Sequence, residues 1–99
     1  MRMFLQARMD TEAGNRAIAD GSLAKTIQAI VGRLHPEAAY FTAVEGDRSC
    51  LLVFDMQDSS QLPGIAEPFF SMGAKVSVKP VMNLEDLQKG LGALDGSAR

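Results

Sequence analysis

The sequence predicts an α+β domain built on a four-stranded antiparallel sheet, and three observations lead to that fold class. Residues 38–56 have the pattern of two strands joined by a tight turn at Glu45-Gly46-Asp47, where Gly46 supplies a backbone conformation that other residues avoid. Residues 50–54 form an unbroken apolar run, typical of a strand covered on both faces, although a buried helix would also give one. The turn, the β-branched and aromatic content and the short length favour the strand. Helical periodicity on both sides of this hairpin completes the pattern.

The first strand is predicted at residues 3–9, where alternate side chains divide between two faces. One face takes Met3, Leu5, Ala7 and Met9. The other face takes Phe4, Gln6 and Arg8. Asp10 or Thr11 then provides the N-cap of a helix.

Residues 11–34 have helical periodicity. The apolar stripe consists of Leu23, Ile27, Ile30, Val31 and Leu34. One helix of this length would span about 36 Å, whereas a strand of seven or eight residues covers only about 25 Å. We therefore predict a break at Gly21, with Ser22 capping the second half. His35-Pro36 ends the segment, because a residue before proline is disfavoured in helical geometry.

A second helix is predicted within residues 57–73. Pro63 is acceptable in its first turn, but Pro68 requires the helix to be short, kinked or interrupted. The fourth strand follows at residues 74–81, with Pro80 at a sheet edge or strand end.

A last helix begins after Asn83, with Asp86 completing a weak capping box. Its apolar stripe consists of Leu84, Leu87, Leu91 and Leu94. Residues 1–94 are predicted to form a single domain, and residues 95–99 a flexible C-terminal tail.

The element order β-α-β-β-α-β with a terminal helix matches a ferredoxin-like fold with strand order 4-1-3-2. The helices of such a fold cover one face of the sheet. The other face would carry Phe4, Tyr40, Val44, Leu51 and Val53. Because a monomer rarely exposes such a patch, we expect a second copy of the chain to pack against it, with Phe4, Tyr40, Leu51 and Val53 in the interface.

The order and size of the elements resemble the dimeric α/β-barrel superfamily, which includes small cofactor-independent monooxygenases and muconolactone-isomerase-like proteins. Within that group, the chain is similar to an uncharacterised bacterial family in the phrases EAGNRAIADGSL, HPEAAYF, EGDRSCLLVFDMQDSSQLP, AEPFF and PVMNLEDL. The resemblance covers nearly the whole chain. It implies a homodimer with a cleft or barrel interior lined by sheet residues, and it implies no particular reaction.

Composition narrows the function classes. The net charge of −2, without a basic run, gives no reason to expect nucleic acid. The single cysteine, Cys50, excludes an internal disulfide and a clustered-cysteine zinc site, and its apolar strand favours an inert thiol. No signal peptide or membrane span is expected, so a cytoplasmic protein is the default. No metal, phosphate-binding or nucleotide motif occurs, and no cofactor is expected.

Four polar side chains are predicted to share one end of the sheet: His35, Tyr40, Asp55 and Lys79. An imidazole, a phenol, a carboxylate and an amine in one place would suit general acid–base catalysis. The alternative interpretation is structural: His35 ends a helix, Tyr40 is an interface aromatic, and Asp55 pairs with Lys79 at the rim.

Ligand-binding candidates are Gln6 and Arg8, which face the predicted dimer interior, and Phe69 and Phe70, which follow Pro68 and would close an apolar pocket. Arg8 needs an anion, and either a ligand carboxylate or Glu45 would serve. Ordinary core or interface packing is the alternative for the two phenylalanines. Two function classes follow: a small homodimer that binds an apolar or acidic molecule, or a cofactor-independent oxygenase or isomerase acting on a small aromatic or unsaturated acid.

Overall fold

The structure is a computed structural model and describes residues 1–94. Its elements are β1 (Arg2–Met9), α1 (Thr11–Ala19), α2 (Ser22–Leu34), β2 (Ala38–Val44), β3 (Asp47–Asp55), a 3₁₀ turn (Ser59–Gln61), α3 (Leu62–Phe70), β4 (Lys75–Pro80) and α4 (Leu84–Gly92). The predicted tail at 95–99 lies outside the described residues.

The four strands form one antiparallel sheet in the order β2-β3-β1-β4, which is the predicted 4-1-3-2 order read from the other edge. β2 and β3 are joined through Glu45 and Gly46, both at positive φ, and Val44 pairs directly with Asp47. A two-residue turn with both φ angles positive matches the right-handed twist of the strands it connects. The hairpin is therefore confirmed, with Asp47 already inside β3.

One face of the sheet packs against α1, α2 and α3 and forms the core. Leu5, Leu52, Phe54, Ile30 and Phe69 are its most completely buried side chains. β1 shows the predicted alternation throughout, because its odd-numbered residues are buried and its even-numbered residues are half-buried.

Within residues 1–94, no helix lies on the opposite face of the sheet. Three cross-strand rows lie on it: Ala38–Val53–Phe4–Lys79, Tyr40–Leu51–Gln6–Ser77 and Thr42–Ser49–Arg8–Lys75. We call this surface the open face. Phe4, Leu51 and Val53 form an apolar group on its two central strands, as predicted, and Tyr40 beside them is 67% exposed.

The long helical segment breaks at Gly21, as predicted, and Gly21 has a φ of 79°. The predicted cap is wrong in detail, because the N-cap position of α2 is Gly21 and Ser22 is the first helical residue. The Ser22 backbone N–H instead donates to the Asp20 carboxylate at 2.8 Å. At the other end of α2, His35 adopts the left-handed conformation that ends many helices.

α4 follows β4 and has the predicted capping box between Asn83 and Asp86. None of its residues is buried, and all four leucines of its stripe are at least 40% exposed. Arg2 Nη1 lies 3.8 Å from the Asp86 carboxylate and ties the first turn of α4 to the sheet.

The described chain has an elongated shape. It measures 58 Å along its longest axis and 27 Å and 19 Å along the other two. Within residues 1–94, no helix has both the length and the apolar character needed to cross a bilayer.

Candidate functional site

An apolar cavity of about 240 Å³ lies between the helices and the half of the β2–β3 hairpin that is nearer its turn. Its apolar walls include Met9, Leu23, Ile27, Phe41, Cys50 and Phe69. This volume is slightly below the range of about 300–1,000 Å³ typical of ligand pockets. The cavity therefore suits a small molecule that is predominantly apolar.

The cavity exists because the helices cover the sheet unevenly. Cys50 in β3 is 5% exposed, whereas its cross-strand neighbour Phe41 in β2 is 58% exposed, although both point to the helical side. The side chains of Leu23 and Ile27 in α2 reach the edge of this gap without closing it. β2 thus contributes an apolar wall that none of the described helices covers.

Arg48 is the only ionisable basic residue among the described residues that line this cavity. Its guanidinium reaches over α1, where Nη2 donates to Asn15 Oδ1 at 3.1 Å and Nη1 donates to the Thr11 carbonyl at 3.4 Å. Gly14 makes room for it, because a Cβ atom at that position would lie 2.5 Å from Arg48 Nη1. The cavity surface is almost wholly apolar, so the aliphatic stem of Arg48 forms part of its wall, and the exposed guanidinium lies beyond that stem, beside α1.

The Cys50 thiol also lines the cavity. Burial raises the pKa of this thiol from 9.0 to about 11. The thiol is therefore protonated at neutral pH and is a poor nucleophile, because the thiolate is the reactive form.

The structure does not assemble the four predicted acid–base residues within one chain. Tyr40 lies on β2 and Lys79 on β4, the two edge strands, separated by three strand spacings or about 14 Å. Lys79 Nζ lies 5.9 Å from the centre of the Phe4 ring. None of the four residues lines the cavity.

Asp55 and His35 have other roles in the described structure. Asp55 accepts hydrogen bonds from the Met1 ammonium at 2.8 Å and from Gln57 Nε2 at 2.6 Å. The ammonium is the main reason that the pKa of Asp55 is lowered. His35 ends α2, and its backbone N–H donates to the Val31 carbonyl at 3.0 Å. Neither contact places Asp55 or His35 beside the cavity.

Gln6 and Arg8 lie on the open face and line a shallow depression of about 300 Å³ with Lys75 and Ser77. The anion that Arg8 needs is already present in the chain. Arg8 Nε lies 3.0 Å from the Asp47 carboxylate, and Arg8 Nη1 lies 3.2 Å from that of Glu45. Arg8 therefore holds the base of the β2–β3 turn.

Phe69 and Phe70 point to different sides of α3. Phe69 is 1% exposed and forms part of the cavity wall, whereas Phe70 is 48% exposed and lies in a surface groove beside α1. Only Phe69 is placed to contact a molecule in the cavity.

Phe41 and Arg48 are two cavity residues that the sequence pattern does not single out. Both belong to the predicted hairpin, but the pattern of a strand does not show that α2 stops short of β2. Gly14, a glycine inside a helix, is the one available signal, because such a residue often makes room for a neighbour.

The described residues contain no group of three or more His, Cys, Asp or Glu side chains that would hold a metal ion.

No family model matches the chain, and no curated protein matches it. Among solved structures, the chain is similar to the de novo designed protein Ferredog-Diesel, with a TM-score of 0.55 over 81% of this chain and 85% of the designed one. The sequence identity is 14%, so the likeness establishes the fold alone. The fold is ferredoxin-like.

Proposed function

We propose that this chain binds a small, largely apolar molecule in the cavity between its helices and the β2–β3 hairpin. The observation that carries the proposal is the cavity itself, about 240 Å³ with almost wholly apolar walls. An apolar cavity leaves its lining atoms without packing partners, and a ligand would restore those contacts. Burial of an apolar ligand contributes about 25 cal/mol for each Å² removed from water.

The enzymatic alternative is a cofactor-independent oxygenase or isomerase for a small aromatic or unsaturated acid. It would need a titratable group beside the bound molecule. The described cavity contains Cys50, whose thiol is protonated at neutral pH, and Arg48, whose guanidinium donates hydrogen bonds and accepts none. The geometry therefore favours binding over catalysis. On the strength of the sequence resemblance, we also propose that the chain belongs to a bacterial family of the dimeric α/β-barrel superfamily.

A homodimer is the second part of the proposal. Phe4 and Val53 form one cross-strand pair on the open face, and Tyr40 and Leu51 form the next. Two copies packed through this face would bury an apolar centre ringed by the charged ends of the strands, the usual arrangement of an interface. A stable pair needs about 1,600 Å² of buried surface in total. The exposed leucine stripe of α4 extends the apolar surface available to a second copy beyond the sheet.

The cavity is tested by titrating the protein with 2-naphthamide, a neutral planar probe, in a calorimeter. Leu23→Trp replaces an aliphatic side chain in the cavity wall with a bulky indole ring, and we expect it to weaken binding at least tenfold. Ile18→Trp is the matched control, because Ile18 is 53% exposed on α1 and does not line the cavity. Equal affinities for both variants, or no binding to the wild-type protein, would contradict the proposal.

The homodimer is tested by sedimentation at micromolar concentration. We expect the wild-type chain to sediment as a dimer and Val53→Asp to shift it to a monomer, because the interface would desolvate a carboxylate without a partner. Ile18→Asp adds the same charge at an exposed position on the helical side and is expected to remain a dimer. A folded wild-type monomer of 10.6 kDa would rule out the dimer while leaving the cavity proposal intact.

A further inference from the structure

We propose that the molecule bound in the cavity carries a carboxylate and that Arg48 binds this group at the rim. The inference rests on the proposed function, since it names the chemical class of the ligand for the same cavity. The ligand would place its apolar body against the walls and its anionic end at the guanidinium.

The first support is the set of partners that Arg48 has. Both of its acceptors, the Thr11 carbonyl and Asn15 Oδ1, are neutral. Arg2 and Arg8, in contrast, each lie within 4.0 Å of two carboxylates. Within residues 1–94, no carboxylate lies within ion-pair distance of Arg48. Its charge is held in place but not neutralised by the described part of the chain.

The second support is how the guanidinium is positioned. It lies against Gly14, where α1 has no side chain, and two hydrogen bonds to α1 restrict its rotation. Those bonds use one proton on each terminal nitrogen and leave Nε–H and a second proton on each terminal nitrogen available. Arginine therefore retains the donor geometry that binds a carboxylate through two parallel hydrogen bonds.

The third support is the position of this charge relative to the cavity. The stem of Arg48 is part of the apolar wall, and the guanidinium at its end is exposed beside α1. A bound molecule that extends out of the cavity along this stem would meet the guanidinium. A carboxylate in an apolar cavity would lose its hydration without compensation. At the rim it keeps some of that hydration and gains a charged hydrogen-bond donor.

The test compares 2-naphthoate with its neutral analogue 2-naphthamide, which has the same ring system. We expect the wild-type protein to bind the anion about tenfold more tightly, as one charge-assisted hydrogen-bond pair predicts. Arg48→Gln should remove this preference, because it weakens the binding of the anion more than the binding of the amide. Arg16→Gln, which removes the same charge from α1 at a position that does not line the cavity, should keep the preference.

The outcomes separate the two proposals. If both probes bind with equal affinity, or if Arg48→Gln keeps the preference for the anion, the carboxylate inference is wrong and cavity binding stands. If neither probe binds the wild-type protein, the cavity proposal fails and the inference fails with it.

Thermal unfolding of each variant checks that its fold is intact. Arg48→Lys, which keeps the charge but not the paired donors, should retain only part of the preference for the anion.

Discussion

Arg33 Nη2 in α2 donates a hydrogen bond to the Gly64 carbonyl oxygen in α3 at 2.7 Å. In an uninterrupted helix, that carbonyl would accept a hydrogen bond from the backbone N–H four residues later. Residue 68 is proline, which has no N–H. Arg33 therefore replaces the donor that Pro68 removes, and the replacement joins two neighbouring helices.

The Arg33–Gly64 bond predicts a dependence on Pro68. Arg33→Met removes the donor and keeps most of the aliphatic stem, and we expect it to lower the free energy of unfolding by about 1 kcal/mol. In a Pro68→Ala background, the restored backbone N–H should satisfy Gly64, so the same change should cost less. Urea unfolding of the four proteins gives the coupling energy. Equal costs in both backgrounds would show that Arg33 does not substitute for the missing donor.

The contact between Gly14 and Arg48 predicts an effect on binding without a large effect on stability. Gly14→Ala raises helix propensity by about 1 kcal/mol, but the new Cβ would lie 2.5 Å from Arg48 Nη1 and displace the guanidinium. We expect several-fold weaker binding of 2-naphthoate, unchanged binding of 2-naphthamide and an unfolding free energy within about 1 kcal/mol of the wild-type value.

Gly32→Ala is the matched control for Gly14→Ala. It lies inside α2, and a Cβ atom at that position would have no neighbour within 4 Å. It should therefore stabilise the protein and leave the affinities for both probes unchanged. A loss of naphthoate affinity in this variant too would mean that helix stability, and not the position of Arg48, controls binding.

The buried thiol of Cys50 predicts a loss of stability at alkaline pH. Its pKa is raised from 9.0 to about 11 in the folded protein, so between these values the unfolded chain loses the proton while the folded chain keeps it. The stabilising contribution is fully present below pH 9.0 and disappears as the pH rises through about 11. The difference in unfolding free energy between the wild-type protein and Cys50→Ala should accordingly be constant at neutral pH and shift against the wild type as the pH rises above 9.0. A pH-independent difference would mean that this thiol titrates normally.

Much of the fold was predictable because its signals are local. The alternation of β1 determines which side chains enter the core, and the apolar run of β3 indicates cover on both faces. Gly21 marked a break because one helix would have exceeded the length of the strands. The predicted cap at Ser22 is wrong by one position, because Ser22 is the first helical residue and Gly21 is the N-cap residue. The backbone N–H of Ser22 donates to the Asp20 carboxylate.

The candidate site was less predictable, because a cavity is space that the packed helices and strands leave unfilled. Its walls come from strand, helix and loop segments that are far apart in sequence, and its volume depends on where α2 ends relative to β2. Phe69 is predictable as a ligand residue because aromatic rings suit apolar pockets. Arg48 is not predictable from the sequence, because its role depends on having only neutral partners, which the three-dimensional arrangement shows. The charge of Arg8 suggests an anion site, but Asp47 and Glu45 already pair with it.

The edge position of β2 has a consequence for how the protein behaves when it is heated or concentrated. Its seven residues, AAYFTAV, include no charge and no proline, and only β3 pairs with it in the described sheet. Sequences of this length and composition are typical of the segments that stack into amyloid-like fibrils. A sheet-to-sheet dimer would cover the face of β2 but not the backbone N–H and C=O groups along its outer edge. The same strand that leaves the cavity open is therefore the segment where misassembly of partly unfolded chains should begin.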